Sequence, residues 1–397
     1  MSIKAIDLFS GAGGFTLSAF EAGIEVISAI ELNDFAAQTY KKNFADKKSL
    51  CENVLHGKES GDIKNIDPEK LKLKLGLCIG ELDLILGGPP CQGFSSHRIK
   101  NSGVDDERNK LLITYFDFVK SFKPKAFLVE NVSGLLWERH ANYLNQFKKL
   151  ALNNGYQIHF CDVLNAKDYG IPQNRKRVFI LGLRNDHELP QNSFPPPQTH
   201  FSSKECKKQQ WVAASSVFEA IPKKLYEQYW LDFFSKKMSI DAKETHDLLS
   251  LLPSGAPIEN DDPCNVYMQP TEMMRERFSD TPLNGSRTDA GEKHRLKCHA
   301  NGYAGHKDVY GRIFIHQPSN TITTGCNNPS KGRFVHPWKN HGMTLRHAAR
   351  LQTFPDSFVF VGTSTQQAVQ IGNAVPPLLG RILIESICRN IKKKAGD

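Results

Sequence analysis

Residues 82–98 read LDLILGGPPCQGFSSHR, an apolar run that ends in two glycines, two prolines and a thiol. A lone cysteine is usually a small core hydrophobe. Cys91, however, stands at a predicted strand exit, on the rim where open α/β sheets bind ligands. Pro89 and Pro90 fix φ just ahead of it. The polar stretch GFSSHRIKNSGVDDERNK (93–110) after it is a loop of a length that compact domains rarely carry without function. A pre-positioned nucleophile beside a movable cover fits this layout. A second group of residues gathers around DLFSGAGGF (7–15), where glycines permit a tight turn and close approach of a ligand to a helix N-terminus. Gly11 and Gly13 supply a GxG, but Thr16 stands where the dinucleotide fingerprint needs its third glycine. Glu31 lies 20 residues after Gly11, at the end of the next predicted strand, where a carboxylate can accept hydrogen bonds from ribose hydroxyls. Asp62, in SGDI (60–63), ends a predicted third strand on the same rim. Together these groups suggest an adenosine-containing cofactor.

The elements that must hold these groups alternate in type. KAIDLF (4–9), IEVISAIEL (24–32), LDLILGG (82–88) and KAFLVENV (125–132) read as strands, and GGFTLSAFEAG (13–23) and LLITYFDFVKSF (111–122) as helices. QIHFCDV (157–163) and RVFILGL (177–183) add two strand candidates. The alternation predicts an α/β fold with a mostly parallel sheet covered by helices. The character changes near the proline cluster FPPPQTH (194–200), and periodicities stay mixed until AVQIGNAVPPLLGRILIESICRNIKKK (368–394) returns to apolar helix. The predicted division is a catalytic domain over 1–188, a smaller irregular domain over 189–365, and a C-terminal return, 366–397, into the first.

Composition narrows the setting. The chain has 397 residues, 40% of them hydrophobic, enough for a packed core. The N-terminus lacks a signal-peptide layout and no apolar run reaches membrane-helix length, so a cytoplasmic protein with no membrane partner is expected. Nine cysteines include no CxxC pair, which predicts free thiols. The formal net charge of +9 points to a polyanionic partner. Charge is uneven: 241–289 holds ten acids and four Lys or Arg, whereas 290–340 holds eight Lys or Arg, two acids and five histidines. Lys293, Arg295, Lys297, Arg312, Lys331 and Arg333 in the second stretch are candidates for phosphate contacts. The spacing of His294, Cys298, His299 and His306 fits no standard zinc site, and no metal is expected.

The motifs resemble those of the DNA (cytosine-5)-methyltransferases of the bacterial modification type. The matching blocks run in family order: DLFSGAGGF (7–15), Glu31, GDI (61–63), GGPPCQGFS (87–95), RNKLL (108–112), ENV (130–132), DYGIPQNRKRVFILG (168–182), PSNTITTG (318–325), ARLQTFPD (349–356) and QIGNAVPP (370–377). The resemblance implies a Rossmann-like fold dependent on S-adenosylmethionine, with a target-recognition domain in the divergent stretch. It implies methyl transfer to carbon 5 of a cytosine flipped out of a specific duplex DNA sequence, with return of S-adenosylhomocysteine. Cys91 would attack carbon 6 and Glu130 would contact the N3 edge. Arg175 would hold the base carbonyl and Arg177 would orient its neighbours. Phe9 would stack on adenine, Glu31 would bind the ribose with Leu32 beside it, and Asp62 and Ile63 would read the adenine edge. Gly11 and Gly13 would line the methionine part, with Pro90, Leu111 and Asn373 closing the site. A monomer is expected, with a cognate restriction endonuclease as a genetic partner. The alternative of the same fold is a tRNA cytosine-5 methyltransferase, against which the long divergent stretch counts.

Overall fold

The computed structural model describes residues 2–46, 53–90, 110–206, 209–222, 225, 252–295 and 308–393. Two compact units emerge from the chain: Met1–Asn165 with Lys176–Thr199 and Ala374–Asp397, and Ala166–Arg175 with His200–Asn373.

The first unit is built on a seven-stranded sheet in the order β3-β2-β1-β4-β5-β7-β6. Its strands are β1 (Lys4–Leu8), β2 (Glu25–Glu31), β3 (Val54–His56), β4 (Leu84–Gly87), β5 (Ala126–Val132), β6 (Tyr156–Asn165) and β7 (Lys176–Arg184). β1 pairs in parallel with both β2 and β4, β2 with β3, and β4 with β5, whereas β7 runs antiparallel to both β5 and β6. Strand order reverses between β1 and β4, and the crevice beyond their carboxyl ends is where such sheets take ligands. The DLFSGAGGF motif covers the end of β1 and the turn after it, and β4 ends in the GGPP turn (87–90), so topology brings both turns to one place on the rim.

Local sequence explains the helices. α1 (Gly14–Glu21) starts after Gly13, whose φ of 102° lies in the left-handed region. α2 (Asp34–Phe44) is capped by Asn33, whose side chain accepts from the backbone N–H groups of Phe35 and Ala36. Asp67 caps α3 (Pro68–Lys74), with Pro68 in its first turn, where a missing N–H is harmless. α4 (Lys110–Phe122) buries Leu112, Tyr115, Phe116, Val119 and Phe122, a spacing that lays one face on the sheet. α5 (Ala141–Asn153) adds Leu144, Phe147 and Ala151. Their rings meet Phe127 and Tyr156 edge-on, Phe116 lying 5.9 Å and Phe147 6.0 Å from Phe127. α9 (Pro377–Asn390) packs on α1, where Gly380 leaves no room for a Cβ against Ser18. A short antiparallel ladder joins β8 (His187–Glu188) to β9 (Lys392–Lys393). The C-terminal return thus completes the first unit.

The second unit has little regular structure: α6 (Glu272–Asp280), α7 (Leu345–Leu351), α8 (Ser364–Asn373) and several 3-10 turns. Buried arginines organise it through backbone carbonyls. Arg312 Nε donates to Thr281 O at 2.7 Å, and its Nη1 to His336 O at 2.8 Å and Lys339 O at 2.7 Å. Arg333 Nη1 donates to Asn284, Gly285 and Arg312 carbonyls at 2.9–3.0 Å. Arg346, fully buried, meets both oxygens of Asp262.

These unit boundaries differ from the expected ones. Crossings fall at 199/200 and 373/374, and Ala166–Arg175 groups with the second unit. Gln173 is the reason: its Nε2 donates to Gln352 Oε1 at 2.8 Å and Leu351 O at 3.1 Å, while its Oε1 accepts from Ile322 N at 2.8 Å. Among the described residues, one stretch, Ser364–Asn390, is long and apolar enough to cross a membrane; it comprises α8 and α9, interrupted at Ala374–Pro376, and 67% of its apolar window is buried.

Candidate active site

The glycine turn after β1 is tightly specified. Phe9 has φ of 58° and Gly11 of 56°. For Phe9, which carries a Cβ, that conformation costs about 1–2 kcal/mol. Such strain is retained where surroundings fix it, characteristically at ligand sites. Gly13 also lacks space for a Cβ, because the Phe44 ring and Tyr40 occupy that direction. Gly14 faces Val375 O, which would lie 2.6 Å from a Cβ.

Glu31 ties this turn to the end of β2. Its Oε2 accepts from Gly11 N at 2.8 Å and its Oε1 from Asn33 N at 2.7 Å. Burial raises its pKa, and the two N–H donors oppose the rise. A carboxylate offers about four lone-pair directions, so two remain for hydroxyl donors. Leu32, next to it, is half exposed. Gly61 lies so close to Glu31 O that no Cβ fits, which brings Asp62 and Ile63 to the end of β2. Asp62 Oδ1 accepts from Lys64 N at 3.1 Å, fixing the turn, and Ile63 is buried. Leu111, at the start of α4, is partly buried against the core. Pro90 is exposed at the end of the β4 turn and Asn373 is exposed at the end of α8.

Beneath the turn lies a polar relay that sequence reasoning missed. Asp7, at the carboxyl end of β1, is 1% exposed; its Oδ2 accepts from Thr16 Oγ1 at 2.7 Å, and Thr16 Oγ1 meets Tyr40 OH at 2.9 Å. Burial, opposed by Thr16, lifts the Asp7 pKa to about 7, with Glu31 adding a smaller push. An acid inside an otherwise apolar strand end was the available signal.

The second half of the site lies on β5 and β7. Because β7 is antiparallel, its beginning reaches the rim where β5 ends, with Val132 opposite Arg177. Arg177 Nε stands 3.0 Å from Glu130 Oε1, and the two side chains are 18% and 11% exposed. The pair is therefore sheltered but reachable. A Cβ on Gly88 would lie 3.5 Å from Glu130 Oε2. The GGPP turn thus passes directly beside the Glu130 carboxylate, three residues before Cys91. Asn131 Nδ2 donates to Pro89 O at 3.4 Å and supports the same turn. Cys91 itself lies outside the described residues.

Arg175 behaves differently from the expectation that it holds a base carbonyl. It is 1% exposed, and its Nη1 and Nη2 donate to Ile322 O at 3.1 Å and Gly372 O at 3.0 Å. Those bonds anchor the second unit. Two of the basic candidates for phosphate contact also turn inward: Arg312 is 4% and Arg333 is 7% exposed. A guanidinium has five N–H donors in a fixed fork, and here the forks bind carbonyls, with Arg333 Nε also donating to Asp308 Oδ1 at 3.0 Å. Lys293 is exposed but bridges Glu276 and Asp280, and Arg295 pairs with Glu292. Lys297 lies outside the described residues, as do Cys298, His299 and His306, while His294 bonds Asp280 at 2.7 Å.

The family model for C-5 cytosine-specific DNA methylases matches residues 3–389. The chain belongs to that family. It is a DNA (cytosine-5)-methyltransferase, and the family uses S-adenosylmethionine. The Type II methyltransferase M.DdeI from Desulfomicrobium norvegicum is 32% identical, over 97% of this chain and 88% of that protein. The Type II methyltransferase M.AgeI from Thalassovita gelatinovora is 31% identical, over 97% and 99% respectively. A solved DNA modification methyltransferase encoded within an E. coli prophage shares the fold, with a TM-score of 0.64 at 24% identity over 98% of this chain and 99% of that one. The methyltransferase's DNA substrate is consistent with its positive charge, and full-length likeness to DNA enzymes weakens the tRNA alternative.

Proposed function

We propose that this methyltransferase acts on a cytosine extruded from duplex DNA, with Cys91 as nucleophile and Glu130 and Arg177 as the groups that receive the base. The observation that carries this reading is the convergence of Gly88, Glu130 and Arg177 on one stretch of rim. Carbon 5 of cytosine is a poor nucleophile. Attack of the Cys91 thiolate on carbon 6 converts the ring to an enamine and moves electron density to carbon 5. Glu130 meets the N3 edge, where charge develops during attack. Arg177 holds the Glu130 carboxylate in place and, with its remaining donors, can meet the base carbonyl. This exchanges the expected roles of the two arginines: Arg175, committed to Ile322 and Gly372, acts by position. After methyl transfer, loss of the carbon 5 proton to solvent lets the Cys91–carbon 6 bond break and frees the thiolate.

S-adenosylmethionine supplies the methyl group as a sulfonium. The residues fit its parts: Phe9 and Leu32 offer apolar surface for adenine, Asp62 and Ile63 its edge, and Glu31 two free lone-pair directions for ribose hydroxyls. The turn at Gly11 and Gly13 would take the methionine part, with Pro90 and Leu111 lining the remainder. We further propose a monomeric modification enzyme that protects DNA against a cognate endonuclease, as the Type II relatives suggest.

A 5-fluorocytosine duplex with S-adenosylmethionine tests the mechanism, because the fluorine blocks the final proton loss. The wild-type enzyme should form an adduct that survives denaturation. An adduct that persists in Cys91→Ser would overturn the assignment of the nucleophile.

A further inference from the structure

We propose that Trp137 and Arg139 form a stacking plate that receives the DNA strand flanking the extruded cytosine. The proposal rests on the reading of the Glu130 rim as the base-receiving edge. The segment SGLLWERHA leaves β5 directly after the ENV motif. Leu135 is fully buried and Leu136 packs against the core, so the segment is anchored without its tryptophan. Trp137 is 41% exposed and, among the described residues, is the one exposed Phe, Tyr or Trp side chain.

Its mount is rigid. A 3-10 turn over Ser133–Leu136 precedes it and another over Glu138–His140 follows, while Trp137 is extended at ψ 146° between them. Trp137 N donates to Gly134 O at 3.1 Å, and His140 N donates to Trp137 O at 2.8 Å. The Arg139 guanidinium lies 4.6 Å from the ring centroid. A cation over an indole face is attracted by the ring quadrupole, so the pair presents one flat aromatic surface joined to one positive charge. An exposed tryptophan is a hydrophobic liability on a protein surface, and Trp137 stands outside the main core cluster. A nucleic acid strand fits both halves of the plate. Bases and sugars stack on aromatic faces, and phosphates pair with arginine. Trp137 lies five residues beyond the carboxyl end of β5, on the segment that leaves the rim where Glu130 stands.

Methyl incorporation into unmethylated DNA of mixed sequence tests this on Trp137→Ala, Trp137→Phe and Arg139→Gln. Trp137→Ala should weaken DNA binding about tenfold, on the scale of one lost stacked base, and should move KM for DNA rather than kcat. Phenylalanine should restore most of the loss. Arg139→Gln should reduce the slope of log affinity against log salt by about one, the signature of one phosphate contact. S-adenosylhomocysteine binding, followed by calorimetry, should match the wild type in all three. DNA affinity of Trp137→Ala within twofold of the wild type would overturn the proposal. So would a parallel loss of S-adenosylhomocysteine affinity, because the effect would then run through the fold. Failure of the wild type to trap on 5-fluorocytosine would sink the Cys91 mechanism instead, and the DNA-affinity arm would still decide the plate.

Discussion

Asp7→Asn should abolish much of the pH dependence of stability in the first unit. Asp7 has an ordinary pKa near 3.8 and is lifted to about 7 by complete burial at the end of β1. A raised carboxyl pKa means that the folded state prefers the neutral acid. The penalty is absent below the ordinary value, grows between pH 4 and 7, and is complete above 7. At about 1.4 kcal/mol for each pH unit, the folded protein loses roughly 4 kcal/mol across that window, about 3 of them between pH 5 and 8. Asparagine keeps the shape and still accepts from Thr16, but cannot ionise. The stability difference between variant and wild type should therefore shift by about 3 kcal/mol in the variant's favour from pH 5 to pH 8. For a unit of this size that is about 6–12 °C in thermal midpoint. Any misfit of the new amide adds an offset that does not vary with pH. His56, whose pKa burial lowers to about 3, titrates identically in both proteins and cancels. Midpoints measured by circular dichroism at pH 5, 6, 7 and 8 decide the matter. Parallel curves for variant and wild type would refute a titrating Asp7.

The two arginines should separate cleanly. Arg175→Lys should destabilise the second unit by about 3 kcal/mol, because an ammonium cannot serve both the Ile322 and Gly372 carbonyls; limited proteolysis should find cleavage sites within 200–373. Arg177→Gln should leave the thermal midpoint within about 2 °C yet lower methyl transfer by about 10²-fold, the scale for one lost charge-stabilising donor, read in single-turnover assays. Gly14→Ala should cost about 1–3 kcal/mol through the clash with Val375 O and weaken S-adenosylhomocysteine binding by displacing the turn, as calorimetry would record. Arg312→Ala should lower stability by about 3 kcal/mol without changing the salt slope of DNA binding, since its fork binds carbonyls and no phosphate.

The sheet was legible because its strands carry their own signal. The predicted strand 125–132 is observed as Ala126–Val132, 177–183 as Lys176–Arg184, and helix 111–122 as Lys110–Phe122. Apolar periodicity and turn residues are local, so they survive in one sequence. The candidate site was legible wherever a motif sits at a strand end, as at Glu31 and Glu130. What was hidden depends on contacts distant in sequence. Nothing near Gln173 or Arg175 announces partners at 322, 351, 352 and 372. A guanidinium reads as surface charge until its carbonyl partners are known, which is why Arg312 and Arg333 resembled a phosphate-binding block. Asp7 was hidden for the opposite reason: a short acid between Ile6 and Leu8 reads as a strand edge, and only the approach of Thr16 and Tyr40 makes it an interior group.

The anchorage of Arg175 has a bearing on how a stretch of this chain can be exchanged. Its guanidinium grips main-chain oxygens at 322 and 372 rather than any side chain. A carbonyl is the same in every residue. The socket is therefore indifferent to the amino acids that build it, provided the backbone follows the same path. A graft of 200–373 from another methyltransferase would meet an arginine already waiting outside the exchanged segment, and would fasten by the same main-chain oxygens whatever its side chains.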